Sequence, residues 1–153
     1  MEIAIDDPAR PDVRELLTEH LAEMHATSPP ESVHALDVAG LLLPGITFWT
    51  VRREGDLLGC GALKELDPDH GEIKSMRTAS SARGAGVATA MLRHLLEQAT
   101  ARGYSRVSLE TGSQEFFAPA RRLYERHGFT PCGPFDDYAD DPNSAFFTRR
   151  LWV

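Results

Sequence analysis

Between a strand-like run, Glu72 to Thr78, and a strongly helical run stands the hexapeptide Arg83-Gly84-Ala85-Gly86-Val87-Ala88. No other stretch narrows so far what the chain can fold into. Glycines let the backbone turn tightly and approach a ligand without Cβ interference. The first turn of the helix that follows presents unpaired N–H groups at the positive end of its dipole. Strand, glycine turn and helix in that order build an anion cradle into which a pyrophosphate fits. A plain strand-to-helix connection is the other reading of the same six residues, so the surrounding sequence has to decide.

It does so downstream. In Ala120-Arg121-Arg122-Leu123-Tyr124-Glu125-Arg126-His127-Gly128-Phe129 a short helix ends at a glycine suited to the left-handed cap position. The pattern Arg83-x-x-Gly86-x-Ala88 resembles the acyl-CoA signature of the GCN5-related N-acetyltransferases (GNAT), and Ala120-x-x-Leu123-Tyr124-x-x-x-Gly128-Phe129 resembles their C-terminal helix. Both occur, in the family's order. Met76 and Thr78 fall where the family's central strand alternates ahead of the cradle, so the resemblance runs roughly from Leu57 to Gly133. One residue departs from it: many members carry Asn where this chain has Phe117, and contacts that the family makes there do not carry over. The resemblance implies an α+β fold of GNAT type, with a mixed, mostly antiparallel sheet of six to seven strands and helices on both faces.

The local patterns agree. Ile3 to Ile5 reads as a short strand, and Pro11-Asp12 opens a helix with Asp12 as N-cap and Glu15 as its capping-box partner. Val13, Leu16, Leu17, Leu21 and Met24 follow at helical spacing. Thr27-Ser28-Pro29-Pro30 breaks that helix, and Glu31 to Asp37 is expected to restart a short one. Thr47 to Arg53 and Leu57 to Leu66 form a hairpin, and Glu72 to Thr78 returns antiparallel to it. After a long helix capped by Gly103, Arg106 to Glu110 is a short strand, which a right-handed crossover lays parallel beside Glu72 to Thr78. A helix from near Pro119 to His127 and two last strands, Phe129 to Cys132 and Ser144 to Leu151, complete one domain over residues 1–153.

Composition limits the partners. A net charge of −7 argues against a nucleic-acid surface, and the absence of a long apolar run or signal-peptide pattern makes the cytoplasm the expected location, with no membrane partner. Cys60 and Cys132 read as small hydrophobes, and the six histidines lack ligand spacing, so no metal is expected. Phe116, Phe117 and Phe135 read as core before pocket. A homodimer is left open.

Acetyl transfer from a thioester to an amine needs a positioned thioester, a base for the ammonium proton and an acid for the departing sulfur. Acetyl-CoA is the implied donor. Backbone amides of Met76, Arg77 and Thr78 would meet its pantetheine arm, and those of Arg83, Gly84, Ala85, Gly86, Val87 and Ala88 its pyrophosphate. Glu72, at the offset where histone-type members carry their base, is the first candidate for that role, and Glu110 is the alternate. An exposed strand-end carboxylate is the other reading of Glu72. Tyr124 is the acid that the resemblance implies. For the acceptor, expected to be a small primary amine, His25, Ser28 and His34 flank the break after the first helix; Lys74, with Arg77 on the same strand, could meet an acceptor carboxylate. Two other readings stand beside this one. A dinucleotide-binding turn fits poorly, because Gly84-x-Gly86-x-x-Thr89 lacks a third glycine. An acyl-CoA-binding sensor without turnover would keep the same fold.

Overall fold

A computed structural model describes residues 1–151. Seven strands, β1 (Glu2–Ile5), β2 (Ile46–Arg53), β3 (Asp56–Asp67), β4 (His70–Thr78), β5 (Arg106–Gly112), β6 (Thr130–Cys132) and β7 (Ser144–Arg150), lie in one sheet ordered β1-β2-β3-β4-β5-β7-β6. Neighbours pair antiparallel except β4 and β5, which run parallel as the crossover through α3 requires. Four α-helices, α1 (Pro11–Thr27), α2 (Val38–Leu41), α3 (Val87–Ala101) and α4 (Ala118–Arg126), cover the two faces. The α+β arrangement expected from the sequence is therefore present.

Strand alternation sorts the core into two layers. Phe48, Cys60 and Ala62 point toward α1 and pack with Val13, Leu16 and Leu17; Trp49, Leu63 and Ile73 point toward α3 and pack with Met91, Leu92 and Leu95. Helix α3 lies close on the sheet because β3 offers glycine beneath it: a Cβ on Gly61 would stand 2.8 Å from Met91 Cγ. Two local expectations are corrected. Asp12 does not cap α1, since Pro11 already occupies the first helical turn and Arg10 precedes it without a side-chain cap bond; the Asp12 carboxylate is instead held by Arg52 Nη1 at 2.7 Å. The segment Glu31 to Asp37 does not form a helix either. A single 3₁₀ turn spans Pro30–Ser32, and α2 starts only after Asp37, whose carboxylate accepts from the Gly40 amide at 2.8 Å.

Two irregularities in β4 position the site. First, β4 pairs with β5 only over His70–Glu72 against Arg106–Ser108, and beyond these residues the strands part. Second, the ladder to β3 jumps from Ala62↔Lys74 to Cys60↔Arg77, with Ser75 at φ 55°. This bulge resets the side-chain alternation. Glu72, Lys74 and Arg77 all face the α1 side, whereas Ile73 and Met76 face α3, where both join the core.

Candidate active site

Where β4 and β5 part, a cavity of about 570 Å³ opens between both layers of the molecule. On its α3 side lie the glycine turn and the start of α3. Gly84 and Gly86 have φ of 82° and 79°, a conformation that costs glycine little, and a Cβ on either would meet nothing within 4 Å. The first intrahelical bond of α3 runs from the Ala90 amide to the Gly86 carbonyl at 3.0 Å, which leaves the amides of residues 87–89 without a helical partner. Open space beside unpaired donors at a helix N-terminus fits an anionic group. Ala85 is the exception among the expected cradle residues: its amide is already bonded to the Ala82 carbonyl at 3.3 Å and its side chain points to solvent. Arg83 is exposed, with Nη2 3.8 Å from Glu23. Along β4, the edge facing β5 has no ladder partner past Glu72, so Ser75 to Thr78 could receive an extended amide-bearing ligand as they would a strand.

Tyr124, from α4, reaches this gap. Its hydroxyl lies 3.8 Å from Met76 Sδ, its ring packs edge-on against Phe129, and burial together with the nearby Glu110 pushes its phenol up to about 12. The hydroxyl therefore stays protonated, and among the described residues its only acceptor is the weak Met76 sulfur. Phe117, at the position where Asn is frequent in the resembled family, sits with its ring over Gly112, where an added Cβ would lie 2.0 Å from Cδ2. Phe116 and Phe117 both line the cavity, and Phe116 is 51% exposed, so these two rings are cavity wall and not simply core.

The α1 side carries the polar groups. Glu72 is no exposed strand-end carboxylate: it is 1% exposed and accepts from the Tyr138 hydroxyl at 2.5 Å and from Lys74 Nζ at 3.2 Å. Lys74 also donates to the Tyr138 oxygen at 2.9 Å, closing a three-membered cluster. Glu110, on β5, makes no ion pair among the described residues, and burial raises its carboxyl to about 7 against weaker downward pulls from Ser144 and Lys74. His34 packs edge-on against Tyr138 at 5.0 Å, and burial followed by the nearby Lys74 lowers its pKa. Arg77 lines the cavity too, with its guanidinium held through both Nη atoms by Glu23 of α1. Ser28 accepts from Gln114 Nε2 at 3.2 Å, the same group reaches Asn143, and Ser32 donates to Asp141 at 2.5 Å; these bonds tie three segments together across the cavity rim. Of the acceptor-side expectations, Ser28, His34 and Lys74 line the cavity, whereas His25 is exposed and does not. Tyr138 escaped the sequence reading, because it sits in an acidic, Gly/Pro-flanked loop with nothing local to mark it.

Residues 10–129 match the sequence model described as the Acetyltransferase (GNAT) family. The chain belongs to that family. It is similar to the uncharacterized N-acetyltransferase YsnE of Bacillus subtilis (strain 168), with 55% identity over 99% of this chain and 100% of that protein. It is also similar to the IAA acetyltransferase of Azospirillum brasilense, with 35% identity over 97% of each chain. Among solved structures, the N-acetylglutamate synthase of Neisseria gonorrhoeae, complexed with coenzyme A and N-acetyl-glutamate, superposes with a TM-score of 0.73 over 100% of this chain and 36% of that one. At 19% identity that likeness is one of fold. Family and relatives together make this protein an acetyltransferase.

Proposed function

We propose that this protein moves an acetyl group from acetyl-CoA to the primary amine of a small molecule, by direct attack with both substrates bound. The observation that carries this reading is the parting of β4 and β5, with the glycine cradle and Tyr124 on one side and the Glu110 carboxyl on the other. Acetyl-CoA supplies the activated acyl group as a thioester. The unpaired amides of residues 87–89 and the open space beside Gly84 and Gly86 suit its pyrophosphate, and the unladdered edge of β4 suits its amide arm.

An alkylammonium has a pKa of about 10.4, so the acceptor must lose a proton before it can attack. Glu110 is better suited than Glu72 to take it. The Glu72 carboxylate already accepts two hydrogen bonds, one from a cation, whereas Glu110 makes no ion pair among the described residues and burial pushes it up to about 7, near neutral pH. Glu110 takes the ammonium proton and later releases it to solvent. As the free amine nitrogen then bonds to the acyl carbon and the carbon–sulfur bond breaks, the sulfur takes a proton from the Tyr124 hydroxyl, and the second nitrogen proton, lost as the amide forms, restores Tyr124 through solvent. Tyr124 is held by burial as a neutral donor for that step. The hydrogen-bonded rim through Ser28, Gln114 and Asn143 supports a compact acceptor. Glu23 holds both Nη atoms of Arg77, whereas Lys74 lines the cavity beside Glu72 at 3.2 Å, so an acceptor carboxylate would share the Lys74 ammonium with Glu72, and an amino-acid-like amine is the preferred substrate class. N-acetyl-glutamate, the compound complexed with the Neisseria synthase, is the acetylated form of such an amine.

Thiol release from acetyl-CoA across a panel of amines tests the reading. Sustained turnover is expected with a small primary amine, and Tyr124→Phe should lower kcat on the order of a hundredfold with donor affinity almost unchanged. Tight donor binding with no turnover on any amine would favour an acyl-CoA sensor. Equal rates for an amino acid and its decarboxylated analogue would remove Lys74 from acceptor recognition.

A further inference from the structure

Glu72, Lys74 and Tyr138 form a cluster that takes no part in the proposed proton transfers. Its two charges sit side by side on β4: the Glu72 carboxylate is 3.2 Å from the Lys74 ammonium, and the Tyr138 oxygen joins both, donating to one at 2.5 Å and accepting from the other at 2.9 Å. Tyr138 arrives from the β6–β7 loop, 66 residues away in sequence, and its ring is fixed by edge-on contacts with His34, Phe135 and Phe146 at 5.0 to 5.5 Å. The cluster is buried, with side-chain exposures of 2% for Glu72 and 9% for Lys74. Burying two opposite charges and a phenol is costly, and a neutral apolar trio would pack as well. Their place on the sheet gives them a use: Glu110 faces the same side on the adjoining strand.

We infer that Glu72, Lys74 and Tyr138 are positioning residues that set the proton affinity of the base, Glu110, through two opposed charges held at fixed distance. This rests on Glu110 being the base. The charged and titratable groups around that carboxyl are Glu72 and Lys74 on β4, Asp141 and Tyr138 on the β6–β7 loop, and Tyr124 on α4, with His34 beyond Tyr138. Lys74 favours the ionised base, while Glu72 and Asp141 oppose it. Burial and Glu72 keep the Tyr138 phenol neutral, so it bridges the pair without adding charge. Because the two β4 charges act on Glu110 in opposite senses, removing one must expose the other.

The test is the acid limb of the kcat/KM profile, with acetyl-CoA at saturation so that destabilised variants are held folded by mass action. Glu72→Gln leaves the Lys74 charge unopposed and should move the limb down by about one pH unit; Lys74→Met leaves Glu72 unopposed and should move it up by about as much. Lys74→Arg should restore it. A merely structural cluster would lower the rate in all variants without sending the limb in opposite directions. Lys74→Met keeps the Tyr138 donor on Glu72 and carries the test should Glu72→Gln fail to fold. Limbs that stay put, or shift the same way, while Glu110→Gln abolishes the limb would overturn this inference alone. A limb that persists in Glu110→Gln would overturn the base assignment and the inference with it.

Discussion

Glu72 and Glu110 share a face of the sheet on adjoining strands, yet one carboxyl is saturated by Lys74 and Tyr138 and the other is left to burial. The difference has a thermodynamic signature. Glu110 titrates at about 7 in the folded protein against 4.5 as a model carboxyl, so folding binds its proton more firmly. Its contribution to stability is complete below the unfolded value and is lost as pH rises through about 7. Glu110→Gln removes that loss. Thermal melts at about pH 5 and about pH 8.5 should show the variant gaining on the parent as pH rises; a gap that does not widen would mean the carboxyl is not raised by burial. What sequence could tell at this scale was limited by sequence distance. Tyr124 was legible because Ala120, Leu123, Gly128 and Phe129 surround it in a recognisable pattern, whereas Tyr138 owes its role to residues 64 and 66 positions away.

The elements were more legible than the residues, for a physical reason. Helix α3 repeats its buried positions over several turns, and strands β2, β3 and β5 each carry a continuous run of buried residues, patterns that survive in sequence. Singular events do not. The bulge at Ser75 and Met76 leaves no repeating mark, and it alone brings Arg77 to the side where Glu23 captures it, so the expected freedom of that guanidinium could not be judged beforehand. The cap of α1 was misplaced because Asp12 meets Arg52, a residue on another element. The cradle, by contrast, is a property of its own six residues. Gly86→Val should abolish acetyl-CoA binding, both by straining a φ of 79° and by filling space that is open beside the glycine, while Arg83→Ala, whose side chain is exposed, should weaken it far less. Calorimetry on the folded variants decides, and unchanged affinity in Gly86→Val would move the phosphate site elsewhere.

For the whole molecule, the sheet is two antiparallel blocks, β1 to β4 and β5 with β7 and β6, joined by three parallel residue pairs. A donor lodged between them would tie the blocks together. Amide exchange along the β5-facing edge of β4 past Glu72 should slow when acetyl-CoA is added, and slow more than exchange along the β2–β3 ladder; equal slowing everywhere would reflect global stabilisation only. No helix among the described residues is long and apolar enough to cross a membrane, and the net charge remains −7. The parting strands have one further effect, on association. A strand with unpaired N–H and C=O groups invites other chains to add to it, and proteins commonly hide such edges at the rim of a sheet. Here the unpaired edge lies in the middle of the sheet, walled by α1, α4 and the rings of Phe116 and Phe117. The molecule thus keeps strand-pairing capacity for a slender ligand while denying it to its neighbours in solution.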